Sequence, residues 1–259
     1  MTPEEIAGAF EPWRARHRRT AWQPVTGAEA SVPSLSWFGG GPIMQAGQTW
    51  PTCAHCRQPM RFMLQLDLST LPAEHGFGLR EGLVQLFYCS TDDGNCETWA
   101  PFSGAQEARF SGKAGTEVAA PEGVDPFPKR VISGWKAVAD YPSPQEHDEL
   151  GVTCDYDFQN ELVTVACPSL EIRLESLDID LEVAECIATA QGGDKLAGWP
   201  FWIQGVEYPS CPECSARMHL LFQLDSEDHL PYMFGDVGCG HLTQCPNHPK
   251  ILAFGWACG

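Results

Sequence analysis

Residues 41–67 read GPIMQAGQTWPTCAHCRQPMRFMLQLD, and residues 199–225 read WPFWIQGVEYPSCPECSARMHLLFQLD. Sliding the chain along itself by 158 residues lays one stretch on the other without a gap. Counted from Gly40, ten of 28 positions are identical. The matches include Gly40 with Gly198, Pro51 with Pro209, Cys53 with Cys211, Cys56 with Cys214 and Met60 with Met218. The triplets Gln65-Leu66-Asp67 and Gln223-Leu224-Asp225 also coincide. Many of these residue types are uncommon, so the chain reads as an internal duplication. Each copy follows one plan: a Gly/Pro turn, a CxxC knuckle, then an alternating strand. Met60, Phe62, Leu64 and Leu66 are expected on one buried face, as are Met218, Leu220, Phe222 and Leu224. Gln65, Asp67, Gln223 and Asp225 then share the opposite face. They are candidates for binding, although such residues more often bond the neighbouring backbone.

A tetrahedral zinc site needs four soft or borderline ligands. A CxxC turn supplies two, and a second pair must come from elsewhere in the fold. In the first copy the apolar run LVQLFY delivers Cys89, and the turn STDDGN leads to Cys96. In the second, HLTQ delivers Cys245, with His248 three residues on. The intervals agree, with 32 residues between Cys56 and Cys89 and 30 between Cys214 and Cys245. The expected sites are Cys53, Cys56, Cys89 and Cys96, and Cys211, Cys214, Cys245 and His248. Cys239, His241 and Cys258 compete with His248 for the last place. Cys154, Cys167 and Cys186 sit among apolar neighbours and read as small core residues. Two structural zinc ions are therefore expected as fold determinants.

Composition narrows the setting. The chain has 259 residues, 12 of them cysteine, with 34 acidic against 16 basic side chains and a net charge of −18. No apolar run is long enough to span a membrane. MTPEEIAGAF lacks the basic and apolar regions of a signal peptide, so a cytoplasmic location is expected. In a reducing compartment clustered cysteines are metal ligands or redox groups rather than disulfides. So acidic a surface repels nucleic acid and anionic lipid and favours a basic partner. The one basic cluster, Arg14, Arg16, Arg18 and Arg19, fits the end of a first helix, where the dipole welcomes cations.

That helix is signalled by Thr2, Pro3, Glu4 and Glu5, with Ile6, Phe10 and Trp13 as its buried stripe and Pro12 as a kink or restart. A second helix is expected over 181–191, stopped by Gly192 and Gly193. The stretch from Gly104 to Pro128 reads as a long loop, and most of the rest as short strands. The expected organisation is an N-terminal helical segment (1–30), a first half with one zinc site (31–145) and a second half with the other (146–259), joined as one compact unit. The fold class is α+β, sheet-dominated, in two pseudo-symmetric halves, each with a zinc knuckle.

Rival chemistries fit less well. A thioredoxin-like CxxC belongs at the start of a helix, whereas both of these run into strands. A zinc deaminase wants HxE and later PCxxC. His147 and Glu149 supply the first element, but Ser210 separates Pro209 from Cys211. A hydrolytic zinc also keeps an open coordination position, which two saturated sites do not offer. A zinc-dependent hydrolase or deaminase using His147 and Glu149 is the alternative to a non-catalytic role.

The segments GGGPIMQAGQTWP and FMLQLDLSTLP, then KLAGWPFWIQ, LLFQLDSEDHLP and FGDVGCGH, resemble the bacterial YwqG-like family of unknown function from about residue 32 onward. The CxxC…C…C arrangement is also similar to the programmed-cell-death-2 proteins. The first resemblance implies a duplicated, sheet-dominated α+β fold and transfers no catalytic residues. The second implies a chaperone-like role toward a ribosomal protein. Together with the charge, these point to a protein that holds a basic protein partner, a ribosomal protein or a toxin, and that is not an enzyme.

Overall fold

In the computed structural model, residues 1–27, 34–72, 76, 78–91 and 95–259 are described. Two short helices open the chain, α1 (Pro3–Ala9) and α2 (Glu11–His17). The Thr2 hydroxyl caps α1 by accepting from Glu5 N, and the Glu5 carboxylate accepts from Thr2 N at 2.8 Å, a reciprocal box. Pro12 sits in the first turn of α2, so it restarts the helix after a break at Phe10. The chain then enters β1 (Arg19–Thr26), β2 (Trp37–Phe38), β3 (Ile43–Met44), β4 (Arg61–Asp67) and β5 (Leu83–Tyr88). β6 (Gln106–Ser111), β7 (Thr116–Glu117) and the long β8 (Arg130–Asp140) follow. Next come β9 (Thr153–Asp157), β10 (Leu162–Cys167), β11 (Ile172–Asp178) and the helix α3 (Val183–Ile187). The chain closes with β12 (Lys195–Ala197), β13 (His219–Asp225), β14 (Cys239–Gln244) and β15 (Leu252–Ala257).

Ten of these strands form one antiparallel sheet in the order β15-β14-β13-β12-β1-β8-β2-β4-β5-β6. The order is symmetric about its centre. β1 and β8 pair there from Arg19↔Asp140 to Thr26↔Ile132. β1, from the start of the chain, lies beside β12 of the second half, while β8 lies beside β2 of the first. The two end strands meet. Gln106 on β6 donates its amide to Phe254 O at 2.8 Å, and Trp256 N on β15 donates to Trp99 O at 3.2 Å. The sheet is thus nearly closed into a barrel. Its interior is filled from both halves by Trp22, Phe38, Leu64, Leu66, Phe222 and Leu224, among others. A separate three-stranded sheet, β11-β10-β9, buries Val163 and Val165 against Ile6, Phe10 and Trp13 of the N-terminal helices and Val183 and Ile187 of α3.

Several expectations change here. The segment 1–30 is helical only at its start, since β1 occupies Arg19–Thr26 at the middle of the sheet. Its buried residues, Ala21, Trp22 and Pro24, do not alternate with exposed ones, so no strand pattern stands out beside the helix signal. Its boundary at 30/31 lies outside the described residues. The stretch 104–128 holds β6 and β7, whose polar composition reflects edge positions rather than a loop. The helix expected over 181–191 spans only Val183–Ile187, because Ala188 is extended (φ −166°, ψ 150°). The expected single face on each central strand is divided by a β-bulge, between Phe62 and Leu64 in β4 and between Leu220 and Phe222 in β13. A bulge inserts one residue and flips the alternation. Met60 and Phe62 therefore face a small core around the first knuckle, while Met63, Leu64 and Leu66 face the barrel interior.

Candidate metal centres

Each CxxC lies on a tight knuckle closed by the same bonds. Cys53 N donates to Gln58 O and Met60 N to Pro51 O, both at 2.9 Å; Cys211 N donates to Ala216 O and Met218 N to Pro209 O, again at 2.9 Å. Arg57 and Ser215 take positive φ at matching places, which turns both sulfurs inward. The end of β5 brings Cys89 and the following turn brings Cys96, whereas the end of β14 brings Cys245 and its turn His248. Residues 92–94 of the first turn lie outside the described residues.

The outcome is two groups, Cys53, Cys56, Cys89 and Cys96, and Cys211, Cys214, Cys245 and His248, whose ligand atoms all lie within 4.8 Å of one another. Cys56 and Cys89 sulfurs stand 3.6 Å apart, and Cys214 and Cys245 sulfurs 3.7 Å. His248 Nδ1 is 3.7 Å from Cys211 Sγ and 3.8 Å from Cys245 Sγ. A tetrahedral metal with bonds to sulfur of about 2.3 Å sets its ligands about 3.8 Å apart. These spacings fit such an ion, and they are far too long for disulfides, whose S–S bond is about 2.05 Å. None of the described cysteines forms a disulfide. The competitors for the last place lie elsewhere: Cys239 and His241 face each other inside the sheet at 3.7 Å, and Cys258 packs near Gly235.

In each centre a CxxC thiol is lowered while burial raises the one beside it, Cys89 in the first and Cys245 in the second. Burial raises the Cys56 thiol, but the Gln58 backbone and the neighbouring Thr91 and cysteines outweigh it, bringing Cys56 to about 7. The Ala216 backbone and the Asn247 amide bring Cys214 to about 6. Thiolate is the form that binds metal. Three ligands of the first centre are buried; in the second, Cys214 is exposed.

The four polar residues on the central strands are drawn into loop clamps. Gln65 is fully buried; its Oε1 accepts from Ile43 N at 2.9 Å and from Gln85 Nε2 at 2.8 Å, while its Nε2 donates to Leu35 O. Gln223 repeats this with Phe201 N at 2.8 Å and Gly193 O at 2.8 Å. Asp67 accepts from Ser69 N and pairs with Lys113. Asp225 accepts from Gly193 N at 2.7 Å. The carbonyl and amide of each glutamine are thus bonded inside the protein. His147 is buried against Trp13, and burial lowers it to about 4 against the opposing pull of the Pro142 and Ala188 backbone. Glu149 pairs with Arg217 at 2.6 Å. Neither belongs to either ligand group.

Two charged clusters escaped the sequence reading because their members lie far apart in the chain. Lys195 and Asp140 form a fully buried ion pair at 3.0 Å; Lys195 Nζ also donates to Gln191 O, and Asp140 accepts from the backbone N–H of Tyr141, Gln191 and Trp199. Asp194, Asp228 and His229 form the other. Hydrogen bonds to Asp194 and Asp228 raise His229 to about 9, and its ring stacks on Phe38 of the first half at 4.8 Å.

Sheet, knuckles and ligand sets together define a sheet-dominated, nearly closed barrel carrying two cysteine-rich centres able to hold metal ions. The chain belongs to the family described as a domain of unknown function, DUF1963, whose model matches residues 36–244. No curated protein matches the sequence. Among the described residues no helix is long and apolar enough to cross a membrane.

Proposed function

We propose that the chain is a non-catalytic, zinc-stabilised binding protein that holds a basic protein partner in a reducing compartment. The observation that carries the non-catalytic reading is saturation: each centre gathers four protein ligands, leaving no open position for water or substrate. Zinc suits three or four thiolates in tetrahedral array and has no redox chemistry of its own. The two halves are read as copies of one duplicated unit. The knuckle bonds, the bulges and the glutamine clamps recurring 158 residues apart support this.

Support for a basic partner comes from charge. The net charge is −18, and residues 153–187 carry nine carboxylates against one cation, Arg173. Asp155, Asp157 and Asp178 lie on one exposed face of the three-stranded sheet, as their pairing through Thr164 and Leu162 requires. Such a face speeds capture of a basic partner and repels wrong ones. The resemblance to YwqG-like and programmed-cell-death-2 proteins leans the same way, toward a ribosomal protein or a toxin. The test is a pull-down from cell lysate with the zinc-loaded chain at moderate salt. Basic proteins that elute as salt rises are expected; recovery of no basic protein above background overturns the reading.

A further inference from the structure

β12 leaves the sheet as β2 does, through two residues of positive φ, but the two halves differ in what lies over that turn. β12 runs beside β13 only at Lys195 and Leu196, then turns away through Ala197 (φ 58°) and Gly198 (φ 79°). At the matching place in the first half, chain fills the space: Gly40 N donates to Phe127 O at 2.8 Å, and the Arg61 guanidinium covers the Phe127 ring at 4.6 Å. On the second-half side a cleft of about 800 Å³ remains. It is walled by the starts of β1 and β13, the end of β14 with Cys245 of the second centre, the turn at 146–150, and Gly76 and Gly78 of the first half. That volume lies in the range of small-molecule sites, about 300–1,000 Å³.

Its polar lining is organised. Arg19 lies over the Trp199 ring at 3.3 Å, donates to Gly198 O at 3.2 Å and interacts with the Tyr208 hydroxyl. Arg217 lies over the Tyr208 ring at 4.0 Å. Stacking fixes the plane of each guanidinium and leaves N–H edges for planar, two-point contact with an acid group. Arg217 already carries one, since the Glu149 carboxylate sits on it at 2.6 Å within the same lining. Both partners of that pair are about half exposed, so it is weakly held. Glu146 lies in the same lining, where burial raises its pKa and it accepts from Trp202 Nε1 at 2.8 Å, while its carboxyl interacts with both Arg19 and Arg217.

We propose that this cleft binds a small carboxylate ligand through Arg217 and Arg19, with Glu149 occupying Arg217 until the ligand displaces it. The site is independent of the acidic face that would hold a protein partner, so either can fail without the other. Trp22 and Trp199 line the cleft and report on it. The experiment titrates the full, metal-loaded chain at pH 7 with succinate, and with acetylated trialanine bearing either a free or an amidated C-terminus, while tryptophan emission is followed. A saturable response to succinate alone assigns a small-molecule acid, and one to the free-acid peptide assigns a chain terminus. Arg217→Ala, a change at a half-exposed position, is expected to weaken binding at least tenfold, and Glu149→Gln to tighten it severalfold. No saturable response up to about 10 mM of either acid overturns the proposal. So does equal binding of the amidated peptide, or unchanged affinity in Arg217→Ala at unaltered metal content.

Discussion

Stripping the metals with a strong chelator at pH 7 is expected to release them in two steps, the second centre first. Its Cys214 is exposed and its His248 only partly buried, so competing chelator and solvent reach its sulfur directly. In the first centre Cys53, Cys89 and Cys96 are all buried. Structural zinc contributes about 10–16 kcal/mol per site, against a net stability of about 5–15 kcal/mol for a whole domain. Loss of even one such ion is therefore expected to bring the fold to the edge of its stability. The centres are wired into the barrel through the strands that carry them: Cys89 and Cys245 directly follow β5 and β14, and each knuckle runs into β4 or β13. Released metal, read with a chromogenic indicator alongside near-ultraviolet circular dichroism, gives the answer. Two equivalents per chain are expected, with tertiary signal lost as they leave. Complete release with an unchanged spectrum, or purified protein carrying no metal, refutes the reasoning.

Lys195→Met leaves the Asp140 carboxylate buried without its cation and is expected to cost about 3–5 kcal/mol in urea unfolding. Adding Asp140→Asn removes the second charge and should restore part of that loss; a double variant no more stable than Lys195→Met contradicts the account. Gly198→Ala is expected to destabilise by more than 1 kcal/mol, roughly the cost of an ordinary surface change several times over, because φ is 79° and its new methyl would meet Asp140 Oδ2 at 2.1 Å. His147 has a folded value of about 4, below its ordinary 6.5, so protonation favours the unfolded chain. Its stabilisation is present above pH 6.5 and is lost as pH falls toward 4, at most about 3 kcal/mol. His147→Leu should flatten the fall in unfolding free energy between pH 7 and 5, and an identical pH slope in variant and wild type counts against the assignment.

The sequence carried the ligand sets because a knuckle is local: two cysteines three apart, a turn, and a strand that must follow. His248 is preferred to Cys239, His241 and Cys258 because it holds the place after the strand that Cys96 holds in the first copy, and it is His248 that stands with the three sulfurs. The central strands were legible as strands, but not their bulges. Leu64 and Leu66 read as continuing the face of Met60 and Phe62, because nothing in FML marks the extra residue that moves them to the barrel side. Gln65 and Gln223 read as binding candidates that more often bond neighbouring backbone, and it is backbone that they bond here, buried under loops that a nearly closed barrel lays over that face. β1 was hidden by the helix signals before it and by its distant partners, β8 and β12. The Lys195–Asp140 pair joins residues 55 positions apart, beyond any local pattern.

The crossing of β1 and β8 at the middle of the barrel has a consequence for how the molecule comes apart. Both strands of that seam, β1 and β8, come from the chain before residue 145, so a cut there leaves β1 as an open edge without its neighbour β12. Neither lobe is self-sufficient, and the chain must melt as one cooperative body rather than shedding one knuckle-bearing lobe at a time. Two severed pieces, supplied together, hold between them every strand that the closed barrel requires.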